Sequence, residues 1–305
     1  MICPDLPGFG RTAPHPTHLP SYSFKSVATA TAQLAAQLGA DKIILGGHDW
    51  GCAVVYRVAL WYPELVSHLF TVCVPYYPPT SVWTTLEERV KKMPSTKYML
   101  DNASDVVEKA IDSPEKIKQF LSGIYGGKNE DGSKDRVWVA TKGYDFSALN
   151  KVGPSPWIGE VEVEYYVQEY ARQGMGPSCE LPHLHKNHIY LLEVLLMQTI
   201  VNWYRTWHVN YTDELALEPG KRNYTLQPPV LMITATHDDA VLPAFAKRMG
   251  ENVKHLTLRE VPTSHWALWQ GAGEVNGIIK EWIEKVVFGK VKNLGVPEGY
   301  IASKL

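Results

Sequence analysis

One segment restricts the fold of this chain more than any other. Lys42-Ile43-Ile44-Leu45 is a short apolar run that leads into Gly46-Gly47-His48-Asp49-Trp50-Gly51. A helix-forming stretch follows at once, from Cys52 to about Trp61, and Pro63 closes it. An apolar run without polar alternation reads as a strand buried on both faces of a parallel sheet. Small residues two before and two after a central side chain permit the strained strand-to-helix turn known as a nucleophile elbow. That turn lifts the central group to the carboxyl end of the sheet, where open α/β folds place their sites. The plainer alternative is a glycine-rich turn in which Asp49 caps a helix.

The rest of the chain keeps the same rhythm at both ends. Phe24, Val27, Ala28, Leu34, Ala35 and Leu38 follow helical spacing, with Gly39 as C-cap. Leu69 to Val74, Val230 to Thr236 and Leu256 to Val261 read as further buried strands, and Glu274 to Val287 as the last helix. Strands alternating with helices predict an α/β fold with a parallel sheet. The rhythm stops between Pro75 and Pro228, in a stretch rich in helix formers, Tyr and Trp. Residues 1–75 and 228–290 are therefore expected to form a discontinuous core, 76–227 an inserted helical cap, and 291–305 a tail.

Composition narrows the function classes. The formal net charge is -2, with Lys and Arg spread along the chain, which points away from nucleic acid and membrane surfaces. No signal peptide opens the chain and no apolar run is long enough for a membrane span. Cys3, Cys52, Cys73 and Cys179 are widely spaced and form no CxxC pair, so free thiols are expected rather than a disulfide framework or a metal site. The chain ends Ser303-Lys304-Leu305, the tripeptide read by the peroxisomal import receptor, which predicts a peroxisomal location.

The chemistry follows from the residue at the elbow. Asp49 is ionised at neutral pH and needs no base to attack, but a carboxylate is a weak nucleophile. It requires a strained ring or a good leaving group, and epoxides and alkyl halides qualify. An ester formed on Asp49 must then be hydrolysed by water that a base activates. His265, in Thr263-Ser264-His265-Trp266, is the expected base. Asp238 is its orienting acid, with neighbouring Asp239 as competitor. His48 is expected to support the turn and border the substrate pocket. No cofactor is required.

These residues resemble the epoxide hydrolase family of the α/β-hydrolase fold, in its soluble, microbial-type branch. The resemblance runs from Pro4 to Val287 and rests on Asp5-Leu6-Pro7-Gly8-Phe9-Gly10, Gly47-His48-Asp49-Trp50-Gly51, the strand end at Asp238, and His265-Trp266. It implies a cap with two tyrosines whose hydroxyls hold and protonate the epoxide oxygen. The matching positions are Tyr98, in Lys97-Tyr98-Met99-Leu100, and Tyr204, in Asn202-Trp203-Tyr204-Arg205, with Tyr165 and Tyr166 as alternatives. It also makes the Trp50 amide an oxyanion donor and lines the pocket with Trp203 and Trp266.

Two departures qualify the resemblance. In the family a His-Gly-x-Pro loop and three or four strands precede the Asp-Leu-Pro-Gly segment, so the expected sheet lacks its first strands. The expected oxyanion hole lacks that loop's donor, a loss of about 2.7–4 kcal/mol of barrier. Cys179 to Thr199 also stands where the family runs directly on to Asn-Trp-Tyr-Arg. The reading is hydrolysis of a small apolar epoxide to a vicinal diol. Its rivals are a haloalkane or haloacid dehalogenase, which would not need Tyr204, and a catalytically impaired remnant that only binds an apolar ligand or a partner.

Overall fold

The computed structural model describes residues 1–12, 18–133, 136–172 and 201–289. The Cys179–Thr199 stretch, the 291–305 tail and its Ser303-Lys304-Leu305 end lie outside the described residues. Helix α1 (Phe24–Gln37), strand β1 (Ile43–His48), helix α2 (Trp50–Trp61) and strand β2 (Val66–Val72) follow in order. The chain then returns to the sheet with Leu226–Ala235 and Val253–Val261, and a helix over Ala272–Trp282 follows. That last helix continues as a π-turn over Ile283–Val287 instead of running regularly to the predicted end.

All pairings in the main sheet are parallel, in the order β1, β2, Leu226–Ala235, Val253–Val261. The third strand in that order explains its apolar run. Val230 and Met232 join the cluster under α1 and α2, whereas Leu231 and Ile233 join the opposite cluster with Val275 and Trp282. Side chains of a strand alternate between faces, and here both faces are covered. All four residues are 0% exposed.

Strand β1 lies at an uncovered edge among the described residues, as expected of a sheet without its first strands, although its apolar run alone suggested burial on both faces. Ile44 is 38% exposed, so the strand is not buried on both faces. Its apolar residues matched a central strand in sequence, but burial depends on what covers each face.

The described residues of the 76–227 stretch are mostly helical and build a cluster from Val107, Ile117, Phe120, Leu121, Val163 and Val167. Its described helices include α3 (Leu86–Lys92), α4 (Tyr98–Ala103), α5 (Val106–Ala110), α6 (Pro114–Ile124), α7 (Glu160–Arg172) and Trp207–Glu214. The start signals are local. Thr85 and Glu88 form a reciprocal capping box on α3, and Ser113 caps α6 ahead of Pro114. A two-strand hairpin, β3 (Trp138–Val139) and β4 (Gly143–Tyr144), interrupts the helices and was not expected. Asp101 accepts a hydrogen bond from the Tyr144 amide at 3.0 Å and ties that hairpin to α4.

The helical stretch is fastened to the core by buried charge. Arg57 on α2 donates to both carboxylate oxygens of Glu214, at 2.7 and 3.2 Å. No helix among the described residues is long and apolar enough to cross a membrane.

Candidate active site

The elbow begins with backbone strain. Asp49 has φ 50 and ψ -121, a conformation that costs a non-glycine residue about 1–3 kcal/mol. The hydrogen bond from Cys52 N to Asp49 O, 2.9 Å, closes the turn into α2. Gly47 makes this geometry possible. A Cβ there would lie 2.4 Å from the Gly51 carbonyl and 2.7 Å from Cys52 N, both backbone atoms. Gly51, expected to be small for the same reason, has nothing within 4 Å of an added Cβ. Gly47→Ala should therefore destabilise the protein by about 3 kcal/mol or more. Gly51→Ala should be tolerated, since alanine favours a helix over glycine by about 1 kcal/mol. Thermal unfolding of the two variants measures the contrast; equal losses would refute it.

His265 reaches Asp49 from the loop after Val253–Val261. Its Nε2 lies 3.2 Å from Asp49 Oδ1 and its Nδ1 lies 2.7 Å from Asp238 Oδ2. Asp238 is 2% exposed, and its other oxygen accepts from the amides of Ala240 and Val241 at 2.9 and 2.8 Å. Asp239 is exposed and faces away from the cavity beside Asp49, so the geometry selects Asp238. Gln270 fixes the loop by accepting from the Ser264 amide and hydroxyl, at 2.6 and 2.7 Å.

Electrostatics couples the three groups. Burial opposes a charged His265, but hydrogen bonds to Asp238 and then to Asp49 outweigh it and hold the imidazole well above its usual pKa. Burial likewise opposes the Asp49 carboxylate, and the hydrogen bond from His265 overcomes that and lowers its pKa. His48 goes the other way. Burial, followed by the charge on His265, depresses it to about 4. A neutral His48 donates from Nε2 to the His265 carbonyl at 2.8 Å. It thus ties the elbow to the base loop.

The two tyrosines stand over this array. Tyr98 begins α4, Tyr204 sits in the 201–205 helical turn, and their ring centres are 6.0 Å apart. Both line a cavity of about 370 Å³ together with Asp49 and His265. Burial pushes both phenols up, and the Asp49 charge adds to this, so both stay neutral donors. The Asn202-Trp203-Tyr204-Arg205 run has a physical reading. Trp203, 1% exposed, donates to Pro7 O at 2.9 Å. Arg205 donates to Ala103 O at 3.2 Å and to Glu108 at 2.6 Å, which fixes the α4 end relative to Tyr204. Tyr165 is 58% exposed, and it and Tyr166 line a different cavity.

The remaining expected residues also gather here. His48, Trp203 and Trp266 line the same cavity, and the Trp266 indole donates to Ile124 O at 2.7 Å. The Trp50 amide donates to the Asp49 carboxylate. Sequence reasoning missed Tyr144, which lines the cavity with its hydroxyl hydrogen-bonded to Asn102 at 3.2 Å. Nothing in its local sequence distinguishes it from the other cap tyrosines. A second cavity, of about 170 Å³, shares Asp49, Trp50 and Tyr98 as walls and was also not foreseen.

His48, Cys73 and His265 bring ligand atoms within 4.8 Å of one another, the geometry of a metal cluster. Two of the ring nitrogens are already committed, His48 Nε2 to the His265 carbonyl and His265 Nδ1 to Asp238. The arrangement serves the hydrogen-bond chain instead. Cys3, Cys52 and Cys73 are free thiols.

Comparison with known proteins gives one consistent picture. The alpha/beta hydrolase fold family matches residues 1–110. The chain is 32% identical over 292 residues to epoxide hydrolase srdG of Neurospora crassa, covering 93% of this chain and 78% of that protein. It is 24% identical to bifunctional epoxide hydrolase 2 of Sus scrofa, covering 93% of this chain and 46% of that protein, so it spans about half of that relative. Among solved structures, epoxide hydrolase VrEH1 of Vigna radiata superposes with a TM-score of 0.68 at 20% identity, covering 92% of this chain and 81% of that one.

Proposed function

The chain belongs to the epoxide hydrolase family of the α/β-hydrolase fold, and from that premise we propose that it hydrolyses an epoxide to a vicinal diol through an ester on Asp49. The carrying observation is His265 set between Asp49 at 3.2 Å and Asp238 at 2.7 Å, beneath two tyrosines.

In the first step an Asp49 oxygen attacks a ring carbon and the carbon–oxygen bond of the epoxide breaks. Tyr98 and Tyr204 hold the ring oxygen and supply its proton, leaving a hydroxyalkyl ester. Neutral phenols suit this, because the developing alkoxide is far more basic than the bound epoxide oxygen.

Esterification removes the Asp49 charge that helps hold His265 protonated. The imidazole pKa falls, its proton can leave to restore the phenol, and a neutral base is produced when water must be activated. His265 then takes a proton from water, and the hydroxide attacks the ester carbonyl carbon. The Trp50 amide supports the oxyanion, the ester bond breaks, and the released diol oxygen takes the proton from His265. One water is consumed, and its oxygen remains on Asp49.

This last point supplies the test. In one turnover in heavy-oxygen water, the diol should carry no label and Asp49 should acquire it. Label in the first-turnover diol would mean direct attack by water and would overturn the covalent route. The paired tyrosines favour epoxide over alkyl halide, which leaves as an ion and needs no proton.

A further inference from the structure

The second cavity holds a charge that the mechanism does not use. Its walls include Asp49, Trp50 and Tyr98 together with Arg57, Arg89 and Trp207. Arg57 is fully engaged. Besides its two bonds to Glu214, it donates to Tyr77 O at 2.9 Å.

Arg89, on α3, is not engaged in this way. Its Nε is buried without a hydrogen-bond partner, and no ion pair reaches its guanidinium among the described residues. Its own helix offers no neutralising carboxylate: Glu88 is held in the capping box with Thr85, and Glu87 is exposed. The guanidinium lies over the Trp207 ring at 5.2 Å, and that indole is fixed by donating to Thr84 O at 2.7 Å. Burial lowers the Arg89 pKa, but an arginine remains charged throughout the working range. Stacking occupies one face of the fork, and no hydrogen bond from its terminal nitrogens is seen among the described residues. Its planar donors match the two oxygens of a carboxylate. Buried charges are retained where something neutralises them.

We propose that Arg89 binds the carboxylate of an acidic epoxide substrate whose ring lies against Asp49. The proposal rests on the covalent reading above and names its substrate class. Met93 and Met99, on the same walls, cover the carbon chain between the two ends.

Two measurements on the full chain decide this. The first needs no turnover: octanoate should raise the unfolding temperature more than methyl octanoate does, and Arg89→Met should remove the difference. The second compares kcat/KM for an epoxy carboxylic acid and its methyl ester. The acid-to-ester ratio should fall about 10- to 100-fold in Arg89→Met, the loss expected for a charge-assisted hydrogen bond, and Arg89→Lys should recover part of it. Should Arg89→Met fail to fold, the Lys variant and the ligand comparison on the unaltered chain still decide. Equal protection by octanoate and its ester, or an unchanged ratio, would overturn the anion site. If no epoxide is turned over, the Asp49 reading falls while the octanoate comparison still judges Arg89.

Discussion

His265→Gln should stop the reaction halfway and leave Asp49 alkylated. The first step needs only the carboxylate and the tyrosines, because Asp49 is already ionised and is held so by its neighbours. The second needs a base, and His265 is the imidazole the structure places 3.2 Å from Asp49. Steady-state turnover should fall by about 10²- to 10⁴-fold, the usual contribution of a positioned base. Intact-protein mass should rise by the full mass of the epoxide, since ring opening expels nothing. Asp49→Asn should show neither diol nor adduct. In the unaltered protein, ester hydrolysis should rise with pH through a lower pKa than the one with which His265 titrates in the free protein. The sign follows from Asp49: its charge raises the His265 pKa, and the ester removes that charge. A His265→Gln protein that forms diol without an adduct would exclude the two-step route.

The parts legible in sequence were those fixed by local chemistry. Val230 to Ile233 could be read as a strand because covering both faces of a parallel sheet demands an unbroken apolar run. Gly47 could be read because only a residue without Cβ clears the Gly51 backbone. Asp238 and Asp239 were not separable in this way, since adjacent carboxylates have the same chemistry until one is buried against His265 and the other faces solvent. Arg89 was wholly hidden. In Leu86-Glu87-Glu88-Arg89-Val90-Lys91-Lys92 it looks like one more charge on a solvated helix, and its isolation arises only when Trp207, from far along the chain, packs over it. The exposure of β1 depended likewise on neighbours, not on its own apolar content.

Tyr98→Phe and Tyr204→Phe should each slow ester formation by about 10²- to 10³-fold, the loss seen when one preorganised donor is removed from a developing oxyanion. Either change deletes a hydroxyl and leaves the ring, so the 6.0 Å edge-to-face contact between the two rings and the cap packing persist. The double variant should fall further, though by less than the product of the two losses, because both phenols act on one oxygen. Rapid-quench measurement in the His265→Gln background isolates this step by following adduct mass against time. Hydrolysis of an ester already formed should change little, since His265 and the Trp50 amide govern it. These variants thus act on the half of the reaction that His265→Gln spares. A chloroalkane provides the opposing case. If it alkylates Asp49 and the double variant still accepts it while the epoxide rate is also unaffected, the tyrosines are packing groups and the halide reading gains the site. If only the epoxide rate collapses, proton donation to a ring oxygen is what the paired hydroxyls contribute.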